Sequence, residues 1–366
     1  MKYYIIAGEA SGDLHGSNLI KEIHKIDTFA KISCWGGNKM EKAGASLIKH
    51  YKDLAFMGFI EVVKNLPTIF KNIAFCKKNI MAFEPDVLVL IDYPGFNMRI
   101  AKWAHKKSIK IAYYISPQIW AWKEKRVHAI KRDVDKMLVI LPFEKDFYKK
   151  FNYDVSYVGH PLAEVVTDFK SKHAAIAKEN IIALLPGSRQ QEIMVKLPIM
   201  LSVAKHFPQY KFVVAKAPGL EDDFYTNMLQ HYANVDSVSN ETYMLLTKAK
   251  AALVTSGTAT LETALFAVPQ IICYKGSKIS YAIAKRLIKI KYIGLANLIM
   301  DKEVVKELIQ DDLSENNLVT ELTLLLSENE KSKQQQVDYK NLFNLLSEGG
   351  HASANAAKEI CEMVMA

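Results

Sequence analysis

Three stretches carry residue types and spacings suited to acid–base and phosphate chemistry. "LIDYPGFN" closes a continuous apolar run with Asp92. An acid at the carboxyl end of a buried strand is a candidate general base, although it could equally cap the helix that follows. "LLPGSRQQEI" passes from a strand through a tight turn at Gly187, past Ser188, to Arg189. A guanidinium there can fork onto phosphate oxygens. "VTSGTATLETALF" repeats the strand, turn and helix, and Ser256, Gly257 and Thr258 would present hydroxyls and N–H groups at a helix N-terminus. Glu262, one turn further on, could accept ribose hydroxyls. Each turn alone reads equally as an ordinary N-cap. At successive strand ends of one sheet, the two together point to a nucleotide diphosphate pocket.

The opening "YYIIAGEASGDLHG" has the same strand, turn and helix form but carries acids, Glu9 and Asp13, where phosphate would be expected. Acids are favoured in a helix's first turn by its dipole. Here they could also meet sugar hydroxyls, with Ser11 and Gly12 shaping the wall beside them. His160 in "VGHPL" is a second candidate base or a positioning residue. No GxxxxGK[ST] or GxGxxG occurs, which removes the main support for a P-loop ATPase or an ordinary NAD enzyme. No carboxylate or histidine cluster has metal-ligand spacing, so no metal is expected. Cys34, Cys76, Cys273 and Cys361 form no CxxC pair and read as buried thiols of a reducing compartment.

The elements that must position these residues alternate along the chain. In the first half, apolar runs such as "DVLVLIDYPG", "KIAYYIS" and "KMLVILPF" each precede an amphipathic stretch. That pattern predicts a parallel sheet covered on both faces. After the polar segment Thr167–Asn180 the pattern starts again. The fold class is therefore α/β: two Rossmann-like, doubly wound domains, residues 1–170 and 171–345, each binding beyond its strands' carboxyl ends and facing a shared cleft. After Gly349-Gly350, residues 346–366 read as a closing helix with Ala356, Ala357, Ile360, Cys361 and Val364 at helical spacing.

The 366 residues are 50% hydrophobic and 24% charged, a globular balance, with a net charge of +9. Residues 1–165 hold 26 Lys and Arg against 17 Asp and Glu, so the whole excess lies in the first half. Such a field attracts nucleic acid, anionic lipid or a phosphorylated substrate, or serves solubility alone. Aromatic RNA-binding signatures are absent, so no nucleic-acid partner is expected. Between Leu54 and Met81 the apolar Met57, Phe59, Ile60, Val63, Leu66 and Phe70 exceed one core stripe and alternate with lysines. This fits an interfacial helix on a phospholipid surface; core helices or a dimer interface are the alternatives. The N-terminus lacks a signal-peptide pattern and no run approaches a membrane span, so a cytoplasmic protein is expected.

In order, "GEASGD", "LAFMGFIEV", "PDVLVLIDYPGFN", "ISPQIWAWKEKRV", "LPFEKDFY", "VGHPL", "LLPGSRQQEI" and "TSGTATLE" resemble the blocks of the lipid-A-disaccharide synthase family. The resemblance implies a GT-B inverting glycosyltransferase of lipid A biosynthesis, peripheral on the cytoplasmic face of the inner membrane. It would join UDP-2,3-diacylglucosamine to 2,3-diacylglucosamine 1-phosphate, giving a β-1,6 disaccharide and UDP without metal or other cofactor. It further implies Asp92 as the base, Arg189, Ser256 to Thr258 and Asn297 stabilising UDP, and Glu262 on the ribose. Glu9, Ser11, Gly12, Asp13, Ser116 and His160 would line the acceptor side, and a homodimer would exchange C-terminal elements. Where the family often has "DAPDFN" this chain has "DYPGFN", so Gly95 replaces a second acid. The competing readings are a UDP-N-acetylglucosamine 2-epimerase, a peptidoglycan glycosyltransferase, and a non-catalytic basic protein binding lipid or RNA.

Overall fold

The computed structural model describes residues 1–54, 66–173, 176–217, 220–277, 281, 290–327 and 329–365. In chain order the first elements are β1 (Lys2–Ala7), α1 (Ala10–Ile26), β2 (Lys31–Gly36), α2 (Asn38–Lys42), β3 (Ser46–His50), α3 (Leu66–Phe83), β4 (Val87–Ile91) and α4 (Pro94–His105). They continue with β5 (Lys110–Tyr114), α5 (Ile119–Trp122), α6 (Val127–Asp133), β6 (Lys136–Val139), α7 (Glu144–Lys149) and β7 (Ser156–Tyr157). All seven strands are parallel, in the order β3-β2-β1-β4-β5-β6-β7. Every residue of β4 is buried, as expected for a parallel strand with helices over both faces.

Alternate residues of β1 feed different cores, because successive strand side chains point to opposite faces. Tyr4 and Ile6 join Leu88, Leu90 and Tyr113 on one face. Tyr3, Ile5 and Ala7 join Val89, Ile91 and α1 on the other. The pairs Ala7 with Ile91 and Ile91 with Tyr114 bring the carboxyl ends of β1, β4 and β5 level.

The second series comprises α8 (Pro161–Lys172), β8 (Ile181–Leu185), α9 (Gln190–Ser202), β9 (Lys211–Lys216), α10 (Asp222–Leu229), β10 (Val235–Ser239), α11 (Thr242–Lys248), β11 (Ala251–Thr255) and α12 (Thr258–Leu265). It ends with β12 (Gln270–Tyr274), α13 (Leu295–Met300), β13 (Lys306–Ile309), α14 (Glu315–Leu326) and α15 (Glu330–Ser347). Six parallel strands run in the order β10-β9-β8-β11-β12-β13. The last element is α16 (Ala352–Met365).

The chain divides into residues 1–161 with 346–366, and residues 162–345. The polar segment Thr167–Asn180 suggests a later boundary than this. Phe169 explains the difference: its ring meets Tyr243 at 5.5 Å and Phe266 at 5.8 Å, which ties α8 to the second unit. The closing helix α16 returns to the first unit, burying Ala356, Ala357, Ile360 and Cys361 in the core that α1 also covers.

Of the apolar residues expected to face a membrane, Met57, Phe59, Ile60 and Val63 lie outside the described residues. Leu66 opens α3 and Phe70 is 60% exposed on it. Among the described residues no helix is long and apolar enough to cross a membrane.

Candidate active site

Asp92 follows β4 directly, and both it and Tyr93 are left-handed, with φ of 44° and 48°. For residues with a Cβ that conformation costs roughly 1–2 kcal/mol each. It persists only where the surroundings fix it. The Asp92 N–H donates to the Tyr114 carbonyl at 3.1 Å. Its own carbonyl accepts the Tyr113 hydroxyl at 2.6 Å and the Asn97 side-chain amide at 2.8 Å. Asn97, wholly buried, also donates to the Ile91 carbonyl at 3.2 Å. Gly8 completes the arrangement, since a Cβ there would lie 2.3 Å from the Tyr93 ring.

The half-buried Asp92 carboxyl is pushed up to about 6, first by burial and then by the charge of Glu9. A carboxylate titrating there is a stronger base than an exposed one and is still ionised at neutral pH. Glu9, half-buried, is the residue before α1 and makes no side-chain cap. Ser11 is exposed in the first turn, and Gly12 brings α1 close to Ala7, where an added Cβ would sit 3.0 Å from the Ala7 Cβ.

The other expected acceptor residues are buried. Asp13 is 4% exposed and accepts the backbone N–H groups of Gly37 at 2.8 Å, Lys39 at 3.2 Å and Met40 at 3.0 Å. It caps the N–H groups at the start of α2. Ser116 is buried, its hydroxyl 2.7 Å from that of Tyr148 and 3.1 Å from the Pro117 carbonyl. Nearby Glu144, 1% exposed, accepts the Leu141 N–H at 3.0 Å, and burial pushes its carboxyl up to about 7. His160 is 4% exposed, and burial reinforced by His15 lowers it to about 3. So low a value makes it a poor base near neutrality.

In the second unit, β8 and β11 are neighbours, with Leu185 opposite Val254. The two candidate phosphate turns therefore lie side by side. Ser188, Arg189, Gly257 and Thr258 are exposed at these turns, while Ser256 is half-buried and donates to the Ile293 carbonyl at 3.1 Å. Gly187 has φ +121°, and a Cβ there would meet Glu192 Oε2 at 2.9 Å.

Beneath the Gly187 turn runs a chain of charge that the sequence did not disclose. Arg189 Nη1 lies 3.1 Å from Glu192 Oε1, and Lys196 Nζ lies 3.5 Å from Glu192 Oε2. Lys196 is 4% exposed and also donates to Thr255 Oγ1. Burial lowers its pKa and Glu192 opposes that. The available signal was spacing: Arg189, Glu192 and Lys196 fall on one helical stripe.

Glu262 is half-buried, and its Oε1 accepts the Tyr243 hydroxyl at 2.8 Å. Burial raises its pKa. Asn297 has no group left for a nucleotide. Its Oδ1 accepts the N–H groups of Val304 at 2.9 Å and Val305 at 2.8 Å, and its Nδ2 donates to the Val305 carbonyl at 2.8 Å and Glu307 Oε1 at 2.9 Å. Glu307 also accepts from Gly294 N–H at 2.9 Å, so the pair braces the loop that Ser256 touches at Ile293.

The chain matches the lipid-A-disaccharide synthetase family over residues 3–361. It is 37% identical to a lipid-A-disaccharide synthase of Geobacter metallireducens, over 98% of this chain and 96% of the relative. It is 40% identical to lipid-A-disaccharide synthase 1 of Legionella pneumophila strain Paris, over 86% and 85%. Among solved structures, a glycotransferase of kitacinnamycin superposes with a TM-score of 0.68 at 12% identity, covering 99% and 98% of the two chains. The UDP-GlcNAc 2-epimerase of Neisseria meningitidis bound to UDP-GlcNAc gives 0.63 at 14%, covering 100% of both. At these identities the superpositions establish the fold, two Rossmann-like units of GT-B type.

Proposed function

Because the chain belongs to the lipid-A-disaccharide synthetase family, we propose that it is the glycosyltransferase joining UDP-2,3-diacylglucosamine to 2,3-diacylglucosamine 1-phosphate. The observation that carries the reading is Asp92, an ionisable base of raised pKa held at a strand end by a left-handed backbone. Its carboxylate takes the proton of the acceptor 6-hydroxyl as that oxygen attacks the donor anomeric carbon. The bond from that carbon to the diphosphate breaks, the configuration inverts, and UDP leaves.

The leaving diphosphate requires fixed positive groups. Arg189 and the N-terminus of α12, with Ser188 and Thr258 beside them, suit that duty, and one such donor is worth about 3–4 kcal/mol in the transition state. Arg189 would exchange Glu192 for a phosphate oxygen while Lys196 keeps Glu192 compensated. Glu262 Oε2, without a hydrogen-bond partner among the described residues, is the atom assigned to the ribose. A peripheral position on the inner membrane is supported by α3, where Phe70 and Phe75 are 60% and 46% exposed beside exposed Lys71 and Lys78.

The test supplies both acylated sugars to the full chain and follows disaccharide and UDP. Stoichiometric release of the two is expected, and Asp92→Asn should abolish both while UDP still binds. Epimerised UDP-sugar with no disaccharide would overturn the reading.

A further inference from the structure

A basic turn beyond β5 plays no part in the chemistry above. α5 ends at Trp122, whose indole is 53% exposed. Lys123 places its Nζ 3.9 Å from the centre of that ring, and Arg126 its Cζ at 6.0 Å. Both cations are half-buried, and among the described residues neither is paired with a carboxylate. Glu124, between them in sequence, is exposed. The two charges oppose each other: burial and then Arg126 lower the pKa of Lys123. Elsewhere Lys302 has Asp338 at 2.7 Å and Lys216 has Asp222 at 2.6 Å, and Lys170, over the Phe266 ring, donates to the Leu265 carbonyl at 2.8 Å. Two cations on an aromatic face, with no carboxylate partner among the described residues, gain from an incoming anion. The exposure of Trp122 is then explained, since it is the platform that orders them.

The turn is linked to the proposed base through Tyr113. It follows β5, whose Tyr113 donates to the Asp92 carbonyl at 2.6 Å, and the charge of Arg126 reaches that same tyrosine. An anion bound here would belong to the molecule that Asp92 deprotonates. The UDP diphosphate is assigned to turns of the other unit. A phosphate monoester, carrying between one and two negative charges near neutrality, is the chemistry two adjacent cations recognise.

We infer that Lys123 and Arg126, ordered by Trp122, bind the phosphate of the acceptor sugar and select the phosphorylated acceptor; this rests on the glycosyltransferase reading above. The test compares steady-state turnover of the phosphorylated acceptor with that of the same acylated sugar lacking phosphate, for the wild type and for Lys123→Gln with Arg126→Gln. The wild type should prefer the phosphorylated acceptor through KM. In the double variant that KM should rise roughly 10- to 100-fold, the worth of one or two charge-assisted hydrogen bonds, with kcat and the dephosphorylated acceptor unaffected. Trp122→Leu should show a smaller loss of the same kind.

An equal loss on both acceptors, or no change in their ratio, overturns the inference. A ratio left intact while binding to vesicles containing anionic phospholipid falls also overturns it, and reassigns the cations to lipid headgroups. Wild-type protein that turns over neither acceptor would instead defeat the glycosyltransferase reading itself.

Discussion

The hydroxyl of Tyr113 donates to the carbonyl oxygen of Asp92 at 2.6 Å, so the neighbouring strand holds the backbone of the proposed base. Replacing Tyr113 by Phe removes that hold while leaving Asn97 in place. The expected result is a fall in kcat of roughly 10- to 100-fold, the scale of a small misplacement of a reacting group, with substrate KM preserved. A lowered melting temperature with unchanged kcat would make Tyr113 a purely structural residue.

The raised pKa of Asp92 makes activity and stability respond oppositely. Between about pH 4 and the folded value of about 6 the carboxyl holds a proton in the folded chain that it has lost in the unfolded one. Its contribution to stability therefore declines as pH rises through that window. Asp92→Asn should abolish turnover yet raise stability at neutral pH, by roughly 1–3 kcal/mol. The wild-type rate should fall tenfold per pH unit well below about 6. Glu9→Gln, which removes the like charge, should move that limb toward lower pH. A pH profile that Glu9→Gln leaves in place would sink the coupling of the two acids.

Lys196→Met should weaken UDP by about tenfold, or ~1.4 kcal/mol, because Glu192 would then keep Arg189 for itself. Titration calorimetry with UDP reads this directly. Unchanged affinity would show that Lys196 serves only the packing around Thr255.

Asn297→Ala deletes four hydrogen bonds, three of them buried. A loss of roughly 2–4 kcal/mol in denaturant unfolding is expected, with UDP affinity of the folded protein near that of the wild type. Intact stability with lost UDP binding would return Asn297 to the nucleotide site.

Phe70 is 60% exposed on α3, so replacing it by Ser should leave the melting temperature nearly unchanged. Co-sedimentation with vesicles containing anionic phospholipid should fall. Equal sedimentation of variant and wild type would remove the membrane contact.

Much of the site could be read from local pattern. Asp92, Arg189 and Ser256 follow apolar runs that can only be buried parallel strands, and such strands present what comes next at their carboxyl ends. The direction of a polar side chain within a helix is a tertiary matter, which local pattern does not give. Asp13 shares the first turns of α1 with Ser11 but reaches the N–H groups at the start of α2. Lys196 sits in the apolar stretch "IMVKLPIM", where a lysine is expected at the surface, and is buried because Glu192 and Thr255 receive it. Asn297 carries a polar amide that a nucleotide could use, but the loop before β13 consumes all of it. In the closing helix the buried stripe was visible, whereas its partner, the core beneath α1, was not.

That first unit is assembled from two pieces of chain, 1–161 and 346–366, with the second unit inserted between them. During synthesis the nascent first sheet must keep its α1 face uncovered by α16 until the whole of residues 162–345 has been made. At about 5–20 residues per second this is roughly ten to forty seconds. For that interval Tyr3, Ile5, Leu19 and Ile23, all wholly buried in the finished fold, lack the cover that α16 supplies. The first unit to be translated is therefore the last to be completed, and the ribosome-bound chain offers an apolar face to chaperones before it offers a site to any sugar.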